Sequence, residues 1–283
     1  MLAQSATAQA LPEDPQQRRC WTEHTAQRTA VDLRTPTAVR FTNLRHGDVI
    51  RSPFWMEFGV RGMGVIPAGN PHAKAGHHHL LVDTPLPLNY QDKIPFSDTH
   101  RHFGKGQTGT LLELSPGKHT LRLLFADHEH RPYFVYSPEL TIVVEGKRGD
   151  APLLIDAKNF ASTCEAWYRN EISAPRKADK EVYVKNLRAG EAVDSPFVIS
   201  LGVVGLGVAP ANAAVKDSGH FSLTFRQGGT PVKTHALTDG RTEAVIELAR
   251  GAYDLELRFI GAEGTPLVPA VSLPLTVARQ LSL

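Results

Sequence analysis

Apolar positions along this chain recur with a period of two, in short runs. Within His119–Phe125, positions 119, 121, 123 and 125 share one side, and three of them are Leu, Leu and Phe. Phe221, Leu223 and Phe225 repeat the pattern in the second half. A period of two is that of a strand with one buried face. Runs of this kind predict strands near 38–44, 48–50, 54–60, 77–83, 109–114, 119–126 and 139–145, separated by turns such as Leu114-Ser-Pro-Gly-Lys118. No helical period interrupts them. The fold class expected is all-β: two tandem immunoglobulin-like antiparallel β-sandwiches joined by a short, partly helical linker.

The tandem arrangement is written into the chain. Asn-Leu-Arg-x-Gly, Ser-Pro-Phe and Gly-Val-x-Gly-x-Gly-Val occur in residues 39–66 and recur, without a gap, in residues 182–209. The match resumes at Gly76 against Gly219 and runs again from Gln107 through Pro132 against Arg241 through Pro266. Such a duplication divides the chain into an N-terminal tail with a Cys/Trp segment (1–37), a first sandwich (38–146), a linker with a second Cys/Trp segment (147–180) and a second sandwich (181–283). A helical turn is expected around Ala161–Tyr168. Cys20 precedes Asn43 by 23 residues and Cys164 precedes Asn186 by 22, so the two cysteines hold matched positions. Packing of the copies about a pseudo-twofold axis would bring Cys20 and Cys164 together as a structural disulfide.

Composition narrows the class further. The 283 residues include 23 glycines and 20 prolines, the punctuation of a β protein with many turns. With 31 basic and 29 acidic side chains the net charge is +2, which gives no broad field for nucleic acid or an anionic membrane. No apolar run approaches the roughly 20 residues of a membrane span. Ala8-Gln9-Ala10 before Leu-Pro-Glu-Asp-Pro reads as the end of a signal-cleavage region, pointing to a periplasmic or secreted protein.

Histidine changes the picture most. Nine of the thirteen lie between His72 and His130, and six form His-x-His pairs: His77/His79, His100/His102 and His128/His130. Residues i and i+2 of a strand share a face, so each pair is able to offer two imidazoles to one ion. The second copy serves as an internal control. His78 aligns with Phe221 and His119 with Tyr253, both on the apolar face, so these two are expected to be structural. His77 and His79 align with His220 and Ser222, His100 and His102 with Thr234 and Ala236, and His128 and His130 with Ala262 and Gly264. A sandwich therefore does not need them.

The donor set narrows the metal. Met63 aligns with Leu206 as a core residue and no cysteine lies in either sandwich, which argues against a thiolate or thioether Cu(I) site. Neutral imidazoles, with Asp83, Asp127 or Glu129 as candidate oxygen ligands, suit Zn(II), Cu(II) or Ni(II). Gly62-Met-Gly64 recurs as Gly205-Leu-Gly207 and is a strand-end feature, with no phosphate-loop lysine or helix after it. There is no Gly-x-Ser-x-Gly elbow.

Gly76-His-His-His-Leu-Leu-Val-Asp83, His102-Phe-Gly-Lys-Gly-Gln-Thr108, Pro116-Gly-Lys-His-Thr-Leu121 and Asp127-x-x-His130-x-Pro132 resemble a bacterial, usually exported domain family of unknown function. The likeness covers about 110 residues of the first copy. In the second copy only the scaffold is retained. The resemblance implies export and draws attention to His77, His79, His102 and His130, whereas His100 and His128 are additions to the motif. Three functions are compatible with these residues. The leading one is an exported, non-catalytic protein that binds Zn or Cu ion through the first sandwich. The others are a metal-free periplasmic interaction or envelope-structure module, with an envelope protein partner and a pH-sensitive histidine cluster, and a metal-dependent enzyme.

Overall fold

The structure, a computed structural model, describes residues 6–32, 36–87, 89, 91–149, 151 and 153–281. Each copy folds as two facing sheets. In the first, a three-stranded sheet (Ala38–Phe41, Phe54–Arg61, Gly109–Leu112) faces a seven-stranded one centred on Gly117–Ala126 and Ala75–Val82. In the second, Glu181–Val184, Phe197–Val204 and Glu243–Ile246 face a sheet centred on Ser218–Gln227 and Gly251–Gly261. Inward side chains such as Phe54, Phe58, Leu80 and Phe125, or Phe197, Phe221, Phe225 and Phe259, are fully buried between the sheets. This is the alternation that the period of two encodes.

Three short strands of the first copy escape the sequence pattern: Gly64–Val65, His100–Phe103 and Pro132–Tyr136. Each lies at a sheet edge, where half of the positions need not be apolar. The sheets are also not wholly antiparallel. Val49–Ser52 runs parallel to Leu140–Lys147, and Glu191–Ser195 does the same beside Val271–Gln280.

The segments read as tail and linker are helical, and they cross over. Pro15–Glu23, capped by the Asp14 side chain accepting from Gln17 N and with proline at its first turn, is followed by Thr25–Thr29. This N-terminal segment packs on the second sandwich. Ala6–Thr7 pairs with Val271–Ser272, Trp21 Nε1 donates to Glu191 Oε2 at 3.0 Å, and Arg28 forms an ion pair with Glu191. The helix Phe160–Ile172, longer than the turn expected from sequence, packs on the first sandwich instead. Arg169 there lies 3.2 Å from Asp48, the residue matched to Glu191, and Ser173 O accepts from Trp55 N at 2.9 Å.

The two crossing segments meet at a disulfide. Cys20 and Cys164 are bonded, with Cα atoms 5.5 Å apart, within a cluster of Trp21, Trp167 and Tyr168. The sandwiches themselves exchange matched contacts: Val65 N donates to Gly240 O and Val208 N to Gly106 O, both at 2.8 Å.

Candidate metal centre

The strand Ala75–Val82 sorts three consecutive histidines by alternation. His78 faces inward, 1% exposed, with its ring 4.7 Å from that of Phe58 and 4.9 Å from that of Phe125. His77 and His79 face outward, away from the sandwich core. On that outer side Ala126 stands beside His77 and Leu124 beside His79, and across the other edge His102 pairs with His79. His130 enters from the turn after Ala126. Asp127 builds this turn: its Oδ1 accepts from Glu129 N and Arg131 N, and its carbonyl accepts from His130 N.

Four imidazoles therefore gather over one patch of sheet. His77 Nε2 and His79 Nε2 are 3.0 Å apart, and a nitrogen from each of His77, His79 and His102 falls within 4.8 Å of the others. The ring of His130 lies 5.1 Å from that of His77 and 4.8 Å from that of His102, centre to centre. His130 adopts φ +70°, a left-handed conformation that costs an L-residue about 1–2 kcal/mol. The matched residue of the second copy is Gly264, at φ +75°. The first copy thus holds a histidine where the backbone favours glycine.

The connection between Ala75–Val82 and His100–Phe103 covers the cluster. Leu86 and Ile94 pack on Leu81, Leu124 and Ala126, forming a small apolar layer outside the sheet. Phe96 lies over the imidazoles, 4.6 Å from the His102 ring and nearly parallel to it, and 5.0 Å from that of His130. In the second copy the corresponding strands, Ser218–Gln227 and Thr230–Ala236, are joined by two glycines alone. The cover and the histidines occur in the same copy.

Burial sets the protonation. His77 and His79 are 0% exposed. Loss of water, reinforced by His102 and His130 and opposed by Asp127, pushes the pKa of His77 down to about 3. Burial and the neighbouring rings push His79 down to about 2. His102 is lowered by burial and then by His130. At neutral pH these three rings are uncharged and have lone pairs to offer. His77 Nδ1, His79 Nδ1 and His102 Nε2 are buried without a hydrogen-bond partner. Each such atom costs about 1–3 kcal/mol; His78 carries two of them in the core, and His220 and His235 one each in the second copy.

Gly104 completes the arrangement. A Cβ there would come within 2.2 Å of His102 Cε1 and Nε2, so the ring occupies the space that glycine leaves. Phe96 and Gly104 both lie against His102. Neither stands out in the sequence, although the unmatched stretch before His100 marks where the two copies diverge.

Other candidates lie elsewhere. His100 Nδ1 meets Ser97 Oγ and Thr99 Oγ1, farther along the strand. His128 gives its carbonyl to Gly69 N, and its ring is not among those in contact with the four. Asp83 does not share the His77/His79 face, because the strand ends at Val82 and Asp83 turns to φ +51°. Its carboxylate instead accepts from Thr120 N and bonds His119 Nδ1 at 2.7 Å. His119 Nε2 reaches Ser115 O, just as the matched Tyr253 hydroxyl donates to Ala249 O. Glu129 pairs with Arg131. Cys20, His24 and Cys164 also lie close together, but the disulfide occupies both sulfurs. A cavity of about 920 Å³ lies between the sandwiches, lined by Trp55, Glu57, Tyr183 and Lys185, and does not include the histidine cluster.

Fold and site together define a duplicated β-sandwich protein with a buried imidazole cluster in one copy. The chain belongs to the family described as Domain of unknown function (DUF4399), whose model matches residues 56–145 and 199–279, more than half of the chain. No curated protein matches the sequence. Similar solved structures include the fibronectin(III)-like modules of CbhA from Clostridium thermocellum, at 8% identity over 85% of this chain and 94% of that one, TM-score 0.24. A two-domain fibronectin type III segment of chicken tenascin is 12% identical over 86% and 99%, TM-score 0.23. CopC from Methylosinus trichosporium OB3b is 21% identical over 34% and 89%, TM-score 0.22.

Proposed function

We propose that this is an exported, non-catalytic protein that binds a transition-metal ion, Zn or Cu, through His77, His79 and His102 of the first sandwich, with His130 beside them. The observation that carries the reading is the convergence, within 4.8 Å, of nitrogens from three uncharged imidazoles, two of them fully buried and His102 partly so. The lone pair that each uncharged ring has to offer supports it. So does the second copy, where His220, Ser222, Ala236 and Gly264 take the matched positions and leave a single imidazole. Export is supported by the disulfide, a bond that persists in oxidising compartments. A buried cluster roofed by Phe96 suits holding an ion better than presenting it to a substrate. The test is metal analysis and Zn2+ titration of the untagged protein beside His77→Ala/His79→Ala. One ion per chain is expected, and none in the double variant. A wild-type protein that is metal-free as purified and takes up no Zn2+ would leave the pH-sensitive interaction module in its place.

A further inference from the structure

The four ring centres give six distances: 4.9 Å (His77–His79), 4.9 Å (His77–His102), 5.1 Å (His77–His130), 5.0 Å (His79–His102), 6.0 Å (His79–His130) and 4.8 Å (His102–His130). Four points nearly equidistant from one another form a tetrahedron. A square would need two long diagonals, yet only the His79–His130 separation is long, and the opposite one, His77–His102, is 4.9 Å. With metal–nitrogen bonds of about 2.0–2.1 Å, a ring centre sits roughly 3.2 Å from the ion, which places tetrahedral neighbours roughly 5.2 Å apart. The ring centres are spaced as those of four imidazoles around one centre would be; nitrogens of His77, His79 and His102 already lie within 4.8 Å of one another, and the His130 ring would turn to complete the set.

His130 supplies an independent observation. A histidine at φ +70°, at the position where the second copy has glycine, is retained against its backbone preference. Phe96, itself 59% exposed, lies against the rings of His102 and His130.

Building on the metal-binding reading above, we infer that the centre is closed and tetrahedral, that His130 is its fourth ligand, and that it selects an ion without a planar preference, Zn2+. Square-planar or tetragonal coordination, the preference of Cu(II) and Ni(II), does not fit this ring arrangement. Four protein ligands with no open position also mark a holding site and not a hydrolytic one.

The experiment uses the full chain, untagged, with Co2+ as a spectroscopic probe. Zn2+ and Cu2+ are then titrated against chelators to rank the two ions. His130→Gly is the variant of choice, because glycine suits the left-handed backbone and the metal-free fold should melt no lower than wild type. Wild type should show the intense visible bands of tetrahedral Co2+. His130→Gly should lose that signature and bind Zn2+ at least about tenfold more weakly. A weak octahedral Co2+ spectrum in wild type, or a variant with wild-type spectrum and affinity, would overturn the inference while leaving metal binding in place. Failure of wild type to bind any of these ions would instead remove the metal-binding reading itself, and this inference with it.

Discussion

His102 shows how a ligand is held by residues that carry no chemistry of their own. Its ring stacks on that of Phe96 and takes up the space beside Gly104. A methyl group at residue 104 meets the end of a side chain and not backbone of another strand, so Gly104→Ala should leave the melting temperature nearly unchanged while weakening metal uptake. The check is a thermal melt of the metal-free protein beside a Zn2+ titration. The pair His119–Asp83 makes a separate prediction about pH. Burial pulls His119 down, but the bonds to Asp83 and to Ser115 O outweigh it, and its pKa stands above the ordinary value. Burial raises Asp83, but His119 and Thr120 N outweigh that and hold it below its ordinary value. A raised histidine contributes stability that is present below its unfolded pKa and lost as pH rises through the folded one. A lowered carboxyl contributes stability that is present above its unfolded pKa and lost as pH falls through the folded one. His119→Ala should therefore destabilise most between about pH 4 and 6.5 and least in alkali, by less than about 1 kcal/mol because Asp83 is largely exposed. Urea unfolding of both proteins across that range tests the sign.

At the scale of the element, one device appears twice. Asn43 Nδ2 donates to Trp55 O and Ile172 O, both at 2.8 Å, and its Oδ1 accepts from Glu57 N at 2.8 Å. Asn186 Nδ2 donates to Val198 O at 2.8 Å and Arg28 O at 3.0 Å, and its Oδ1 accepts from Ser200 N at 2.9 Å. Each buried amide ties a strand of its own sandwich to the helical segment that crosses onto it. Alanine at residue 186 leaves three backbone groups without this partner, so Asn186→Ala should cost about 3 kcal/mol. The loss should appear as a lower urea midpoint with little change in slope. The histidine-bearing hairpin shows the converse, a place where the copies differ. Two glycines suffice to join the strands of the second copy, whereas the first spends residues 83–99 on a layer that puts Leu86, Ile94 and Phe96 over its outer face.

For the whole molecule, the crossing of the helical segments makes the two sandwiches interdependent. The N-terminal segment completes the second copy, the linker helix completes the first, and Cys20–Cys164 closes a loop of 144 residues where they meet. By the chain-entropy estimate such a closure stabilises by about 5 kcal/mol, before any native strain is deducted. Cys20→Ser/Cys164→Ser, or reduction of the native chain, should lower the melting temperature by several degrees and move both sandwiches together, which differential scanning calorimetry would register as one transition. The Lys185 ammonium, buried and donating to Phe58 O and Thr108 O of the other sandwich, couples them further.

The duplication, the all-β class and the pairing of the cysteines were legible in the chain, because each rests on local periodicity or on matched positions that survive without coordinates. Alternation also separates His78 from His77 and His79, since it depends only on neighbouring residues along one strand. What alternation does not decide is which segments meet across a sheet edge. His102 joins the cluster through the register that sets it opposite His79, and His130 through a turn held by Asp127, while His100 is drawn off by Ser97 and Thr99. Asp83, a candidate oxygen ligand, turns to His119 instead because the strand ends one residue before it. Phe96 and Gly104 carry no motif, and their roles arise only when a connecting segment folds back over the sheet. The crossing of the helices is likewise tertiary, since matched positions state that two segments are equivalent but not which sandwich each one covers.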